Sequence, residues 1–331
     1  DVVLLDLQMP DPDGISVLPL LLAKRRNLTV IVVSALTRAH AELSLEALSL
    51  GAADCVLKPD SGNAVPGARE FRRELIDKIR ALGGRRRLLG ALGRSNAAFP
   101  AVSVPRIASP PLSPQGYQSG LPSLKGQAYP LRPFSPSPPR ILVIGASTGG
   151  PPALATILAQ IDEVTQSAPV LITQHMPPTF TTILAEHLAR SSRRPTREPA
   201  DGETVRAGSI YVAPGGRHMR VTRRNGTAVV TLDDGPQVSF CRPAVDPLFS
   251  SAAQVWGSWV LAVILTGMGN DGTRGAEDVV AAGGSVIAQD EASSVVWGMP
   301  GSAAQAGLCS AVLPLDRIGP KVVHLFSGER Q

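Results

Sequence analysis

The chain has 331 residues, room for about two domains of ordinary size, with a formal net charge of +5, 44% hydrophobic residues and 18% charged residues. No apolar run approaches the ~18–20 residues of a membrane span, and no secretory pattern opens the sequence. Three widely spaced cysteines (Cys55, Cys241, Cys309) give neither a disulfide framework nor a metal-ligand spacing, and they suit a reducing cytoplasm.

Asp1 to Pro10 reads as a buried parallel strand running into a loop. It opens without a methionine, as expected of a chain lacking its own N-terminus. Thr29-VIVVSALT is a second strand and Asp54-CVLKP a third. Ala41-ELSLEALSLGA is a helix closed by Gly51, and Arg69-EFRRELIDKIRAL is a further helix. Strands alternating with helices imply a parallel sheet covered on both faces.

From 82 to 139 the sequence turns to Pro, Ser, Gly and Ala with scattered arginines, and apolar periodicity is lost. Such a stretch buries too little apolar surface to offset its ordering entropy, so it reads as a linker between folded parts at 1–81 and 140–331. No acidic residue lies between Asp77 and Asp162, so the positive excess sits on this tether, and nucleic acid is not implied.

The second part repeats the α/β rhythm. Strand-like runs are Ile141-LVIG, Val170-LITQH, Ser209-IYVAP, Val260-LAVILTG and Ser285-VIAQ, with helical runs starting near Pro151, Thr179, Asp246 and Gly275. Asn225-Gly226 predicts a tight hairpin between two short strands. The fold class is therefore α/β in two domains, the larger one a doubly wound, mostly parallel α/β/α sheet.

Ligands of open parallel sheets bind beyond the carboxyl ends of the strands. Three reactive side chains fall there: Ser147 after the strand at Ile141, His175 ending the strand at Val170, and Asp271 after the strand at Val260. Serine, imidazole and carboxylate are the attacker, base and orienting group of nucleophilic acyl transfer. Taken singly they read otherwise: Ser147 as a helix cap, His175 as a core histidine, Asp271 as a turn residue. Gly145-Ala-Ser-Thr-Gly149 fits the G-x-S-x-G turn that presents a serine. It lacks both the dinucleotide fingerprint and a phosphate-loop lysine. The order Ser, His, Asp differs from that of α/β-hydrolases, which points to a triad on another sheet.

Residues 140–331 resemble the methylesterase domain of the chemotaxis protein-glutamate methylesterases (CheB). The likeness is carried by IGASTGG, ITQHMPPTFTTILAEHL, DGETVRAGSIYVAPGGRHM, CRPAVDPLF, ILTGMGNDGTRGAE and WGMPGSAAQAG. The resemblance implies a serine nucleophile at Ser147, its histidine at His175 and its aspartate at Asp271. Oxyanion donors are expected from the backbone of Thr148 and Met268. It implies hydrolysis of glutamyl methyl esters on methyl-accepting chemotaxis receptors, with deamidation of glutamines as a second activity, and no cofactor for catalysis.

Residues 1–81 resemble the later part of a response-regulator receiver domain. Asp6 in LLDLQMPDPDG falls on the phospho-accepting aspartate, and Ser34 and Lys58 fall on the switch hydroxyl and lysine. The receiver's first strand and the acids that help hold Mg²⁺ would precede Asp1, so Mg²⁺-dependent phosphorylation by the chemotaxis histidine kinase is expected of a full-length protein. A cytoplasmic monomer, not inserted in the membrane, completes this reading. The competing readings are a Rossmann-like nucleotide-binding protein, which leaves His175 and Asp271 idle, and a non-catalytic signalling adaptor.

Overall fold

The computed structural model describes residues 2–25, 28–59, 66–92 and 129–328, and most of the Pro- and Ser-rich stretch assigned to the linker lies outside these residues. The first domain runs β1 (Val2–Asp6), α1 (Gly14–Lys24), β2 (Thr29–Ser34), α2 (Arg38–Ser49), β3 (Asp54–Leu57) and α3 (Pro66–Leu92). Its three strands are parallel in the order β1-β2-β3, with β1 at an edge.

Helix α1 was not legible in the sequence because GISVLPLLLAK is continuously apolar and carries Pro19 inside it. Its start is nevertheless capped by Asp13, which accepts from Ser16 N at 2.7 Å. Helix α3 continues to Leu92, past residue 82 where the sequence reading begins the linker. Gly83-Gly84 reads as a stop, but the Arg, Leu and Ala that follow are good helix formers.

The larger domain continues with β4 (Ile141–Ala146), α4 (Gly150–Leu158), α5 (Asp162–Ser167), β5 (Val170–Gln174), α6 (Phe180–Ser192), β6 (Thr196–Arg197) and β7 (Ile210–Val212). A hairpin follows, β8 (His218–Arg224) and β9 (Thr227–Asp233), turning through Asn225 and Gly226, both at positive φ. Then come α7 (Val245–Trp256), β10 (Val260–Ile264), α8 (Thr273–Ala281), β11 (Ser285–Gln289), α9 (Met299–Gln305), β12 (Ala311–Leu313) and α10 (Leu315–Ser327). Seven strands pair in parallel in the order β12-β11-β10-β4-β5-β7-β6.

The period-2 alternation of strand side chains divides the core in two. Leu142, Ile144, Val170, Ile172, Leu261, Val263 and Ile287 point to a face covered by α4, α6 and α10. Ile141, Val143, Leu171, Ala262, Ile264 and Val286 point to the other, covered by α7, α8, α9 and the hairpin. Burial on both faces explains why these strands are continuous apolar runs in the sequence.

The two domains share packed surface. Helix α2 lies against α4 and α6, and the first-domain core residues Ile31, Val56 and Leu82 form one cluster with Val296. Residues just before β4 are also tied to the larger domain: Arg132 N donates to Cys309 O at 2.9 Å and Ser135 N to Ser285 Oγ at 2.8 Å.

Because β4 is central and Ile144 is fully buried, Ile144→Ala is expected to destabilise the larger domain by about 2–5 kcal/mol. Leu131→Ala, at a side chain 57% exposed, is expected to change stability by no more than about 0.5 kcal/mol. Urea midpoints of the two variants check the contrast.

Candidate active site

Strand register builds the centre of the site. Ala146 at the end of β4 lies opposite Gln174 at the end of β5, so the next residues, Ser147 and His175, emerge side by side. His175 N donates to Ala146 O at 3.1 Å, and Ser147 N to Thr266 O, just beyond β10, at 3.0 Å. The chain then turns sharply into α4 through Gly149 at φ 77°. A Cβ on Gly149 would strike Val295, and one on Gly150 would overlap Gln174 Oε1, so both positions need glycine.

Asp271 sits in the loop between β10 and α8 and is 1% exposed. Its Oδ2 accepts from His175 Nε2 at 2.7 Å and from Val245 N at 2.6 Å, while Oδ1 accepts from Asp246 N at 3.0 Å and Gly272 N at 2.9 Å. It therefore caps the N-terminus of α7. Asp246 in turn caps α8 through Gly272 N at 2.9 Å and Gly275 N at 2.7 Å. Burial works against a charged Asp271, but His175 and the backbone N–H groups outweigh it and hold the carboxyl below its ordinary range. Burial dominates at Asp246 and pushes it up to about 6.

Ser147 Oγ makes no hydrogen bond to His175. The other ring nitrogen, Nδ1, faces Cys241 Sγ at 3.3 Å. Burial opposes charge on the His175 ring, but the Cys241 sulfur and the Asp271 carboxylate on either side of it raise its pKa to about 10. The sequence reading gave Cys241 no role, since its neighbour lies 66 residues away in the chain. Gln174 was also missed. Its Nε2 donates to Ser147 O at 2.9 Å and to His175 O at 3.3 Å, clamping the two strand ends together.

The backbone N–H groups of Thr148 and Met268 donate to nothing among the described residues, and the adjoining Gly267 backbone lies directly against Ser147. Thr148 Oγ1 donates across the domain boundary to Asp54 Oδ2 at 2.6 Å. Asp54 pairs at 3.1 Å with Lys78, which also meets Glu74 at 2.8 Å; these two carboxylates overcome its burial and keep it charged. Ser147, Thr148 and His175 line a cavity of about 140 Å³ whose opposite wall includes Asp54, Leu57 and Lys78 of the first domain. Elsewhere on the domain boundary, Arg38 Nη2 reaches both carboxylate oxygens of Glu186, at 2.9 and 2.8 Å.

In the first domain the three expected residues lie at the carboxyl ends of parallel strands. Asp6 Oδ2 pairs with Lys58 Nζ at 2.6 Å, and Oδ1 accepts from Gln8 N at 3.0 Å. Partial burial pushes the Asp6 carboxyl up, but Lys58 and Gln8 prevail and lower it. Ser34 is turned away, toward His40 O at 3.3 Å and Ser44 Oγ at 2.8 Å. Among the described residues no three His, Cys, Asp or Glu side chains converge as metal ligands. Asp6 alone does not complete a Mg²⁺ site. No helix among the described residues is long and apolar enough to cross a membrane.

Comparison with known proteins places this geometry in context. A family model described as CheB methylesterase matches residues 142–322, and one described as response regulator receiver domain matches residues 1–65. A Rhodopseudomonas palustris (strain BisB5) protein named protein-glutamate methylesterase/protein-glutamine glutaminase is 59% identical, the match covering 100% of this chain and 83% of the relative. A Bradyrhizobium diazoefficiens protein of that name, of a group 2 operon, is 56% identical with the same coverage. The crystal structure of the Thermotoga maritima CheB methylesterase catalytic domain matches with a TM-score of 0.55 and 43% identity, over 56% of this chain and 98% of that domain. The two-domain α/β class read from the sequence is borne out.

A general base must be neutral to accept a proton, so contacts that raise the His175 pKa move the onset of activity to higher pH. Cys241→Ser removes the ionisable sulfur from Nδ1, and His175 is expected to titrate below about 10 by NMR. The acid limb of the kcat/KM profile is expected to move to lower pH with it. An unchanged His175 titration would show that Cys241 does not set this pKa.

Proposed function

We propose, from the premise that the chain belongs to the CheB methylesterase family, that it is a protein-glutamate methylesterase and protein-glutamine glutaminase acting through Ser147, His175 and Asp271. The observation that carries this reading is the contiguity of β10, β4 and β5, which gathers the three residues at adjoining strand ends. Hydrogen bonds of catalytic groups are often unmade in the resting enzyme and tighten with substrate, so the open Ser147–His175 pair is compatible with this role.

In the proposed reaction Ser147 Oγ attacks the carbonyl carbon of a glutamyl methyl ester and its proton passes to His175. Asp271 orients the ring and stabilises the imidazolium. The negative oxygen of the tetrahedral intermediate is met by the N–H groups of Thr148 and Met268, which have no other acceptor among the described residues. Collapse expels methanol, protonated by His175. Water, deprotonated by His175, then attacks the acyl-serine and releases the free glutamate carboxylate and Ser147. With glutamine in place of the ester, the leaving group is ammonia.

The proposal divides the chain into a receiver at 1–81, a linker at 82–139 and a catalytic domain at 140–331, in a monomeric cytoplasmic protein. Its substrates are methyl-accepting chemotaxis receptors, and its phosphodonor is the chemotaxis histidine kinase acting on Asp6, with Ser34 and Lys58 as switch residues. Phosphorylation of Asp6 replaces the carboxylate that Lys58 now holds. In support of control by the receiver, first-domain residues form one wall of the cavity beside Ser147 and His175.

Ser147→Ala is expected to reduce methanol release from methylated receptor membranes by at least about 10³-fold. Release at the unmodified rate would overturn the esterase assignment. Arg38→Glu sets like charges against Glu186 at the domain boundary. It is expected to raise basal release about two- to fivefold, the scale of an exposed ion pair. An unchanged rate would argue that this contact does not restrain the enzyme.

A further inference from the structure

Phe240 is the most exposed large apolar residue among the described residues, at 71%. It stands at the tip of a tight turn in which Ser239 and Phe240 both adopt positive φ, 50° and 63°. An aromatic residue is rarely found in that region, and backbone strain of this kind persists where the surroundings enforce it, often at functional sites. Here the turn is enforced by Val238 N donating to Cys241 O at 3.1 Å and Cys241 N donating to Val238 O at 2.8 Å.

The position of the turn gives the ring its meaning. Cys241, the next residue, touches His175 Nδ1 at 3.3 Å, so Phe240 stands on the rim of the reactive centre. From the other side Arg73 of α3 lays its guanidinium over the ring, 3.7 Å from the ring centre. The first domain thus covers an aromatic face beside the catalytic base.

We propose that Phe240 is a specificity-determining residue whose ring packs against the polypeptide segment flanking the scissile glutamyl ester. The proposal rests on the esterase reading above. A methyl ester at the end of a flexible side chain offers little surface for recognition. Selection of an ester carried on a protein therefore has to come from contacts to the neighbouring segment. A flat, exposed ring contributes apolar contact and attraction for a cation at small conformational cost, which is why aromatic residues dominate recognition surfaces. Arg73 occupies one face of that ring, so the first domain competes with the substrate protein for that face.

The test removes that competition first. Arg73→Ala and the double variant Arg73→Ala/Phe240→Ala are compared for kcat/KM of methanol release from methylated receptor membranes and of p-nitrophenyl acetate hydrolysis. The ratio of receptor to small-ester activity is expected to fall about tenfold or more on loss of the ring, the scale of an aromatic hot spot. Phe240→Tyr in the same background is expected to preserve the ratio. A ratio unchanged by alanine, an equal loss on both substrates, or a fall with tyrosine as large as with alanine would each overturn the proposal. If the Arg73→Ala parent hydrolyses the small ester but releases no methanol from receptors, the esterase reading itself fails, and this proposal with it.

Discussion

Three parallel strands, hydrogen-bonded side by side in the order β10-β4-β5, are the constraint on which the reactive centre depends. Their register leaves no freedom about what meets at their ends. Gly145 pairs with Ile264 on one side and Thr173 on the other, and Ala146 pairs with Gln174. Ser147 and His175 therefore leave the sheet as neighbours, and Thr266 receives the Ser147 amide. A shift of one residue in either pairing would turn the apolar side chains of a strand to the wrong faces of a sheet buried on both sides. Core packing and catalytic geometry are thus held by the same register.

Asp271 is fixed differently, by helix ends. It caps α7 while Asp246 on α7 caps α8, the helix that follows the Asp271 loop. Oriented N–H groups in a buried setting favour the ionised form, which helps keep Asp271 charged beside His175. Docking of the first domain adds a second polar network, buried at Thr148 and Asp54 and running through Lys78 to the exposed Glu74, at the wall of the same cavity. The exposed Arg38–Glu186 pair contributes less than the apolar packing of α2 on α6 and of Val296 among Ile31, Val56 and Leu82.

The long central strands were legible because burial on both faces writes them as unbroken Val, Ile and Leu runs. The hairpin was legible from Asn225-Gly226. Short edge strands such as β6 and β12 carry too few residues to show a pattern, and the continuous apolar run of α1 hid its helical period. Ser147, His175 and Asp271 could be singled out because reactive side chains at strand ends of a parallel sheet have a common destination. Gln174, Cys241 and Asp246 could not, although CRPAVDPLF was one of the matching segments. Their roles rest on contacts to residues far away in the chain, and a lone amide, thiol or acid next to a strand or helix carries no local signal. The Thr148–Asp54 contact crosses between domains and is invisible to any local pattern.

The central claim is that the glycine turn after β4 presents Ser147 as the nucleophile, even though the thiol of Cys241 occupies His175 Nδ1 in this structure. Labelling with a fluorophosphonate that phosphonylates activated serines, followed by peptide mass spectrometry, tests it most directly. The account predicts one adduct, on the peptide carrying Ser147, and its loss in the Ser147→Ala protein. An adduct on Cys241, or no adduct from an enzyme that still releases methanol, would contradict it.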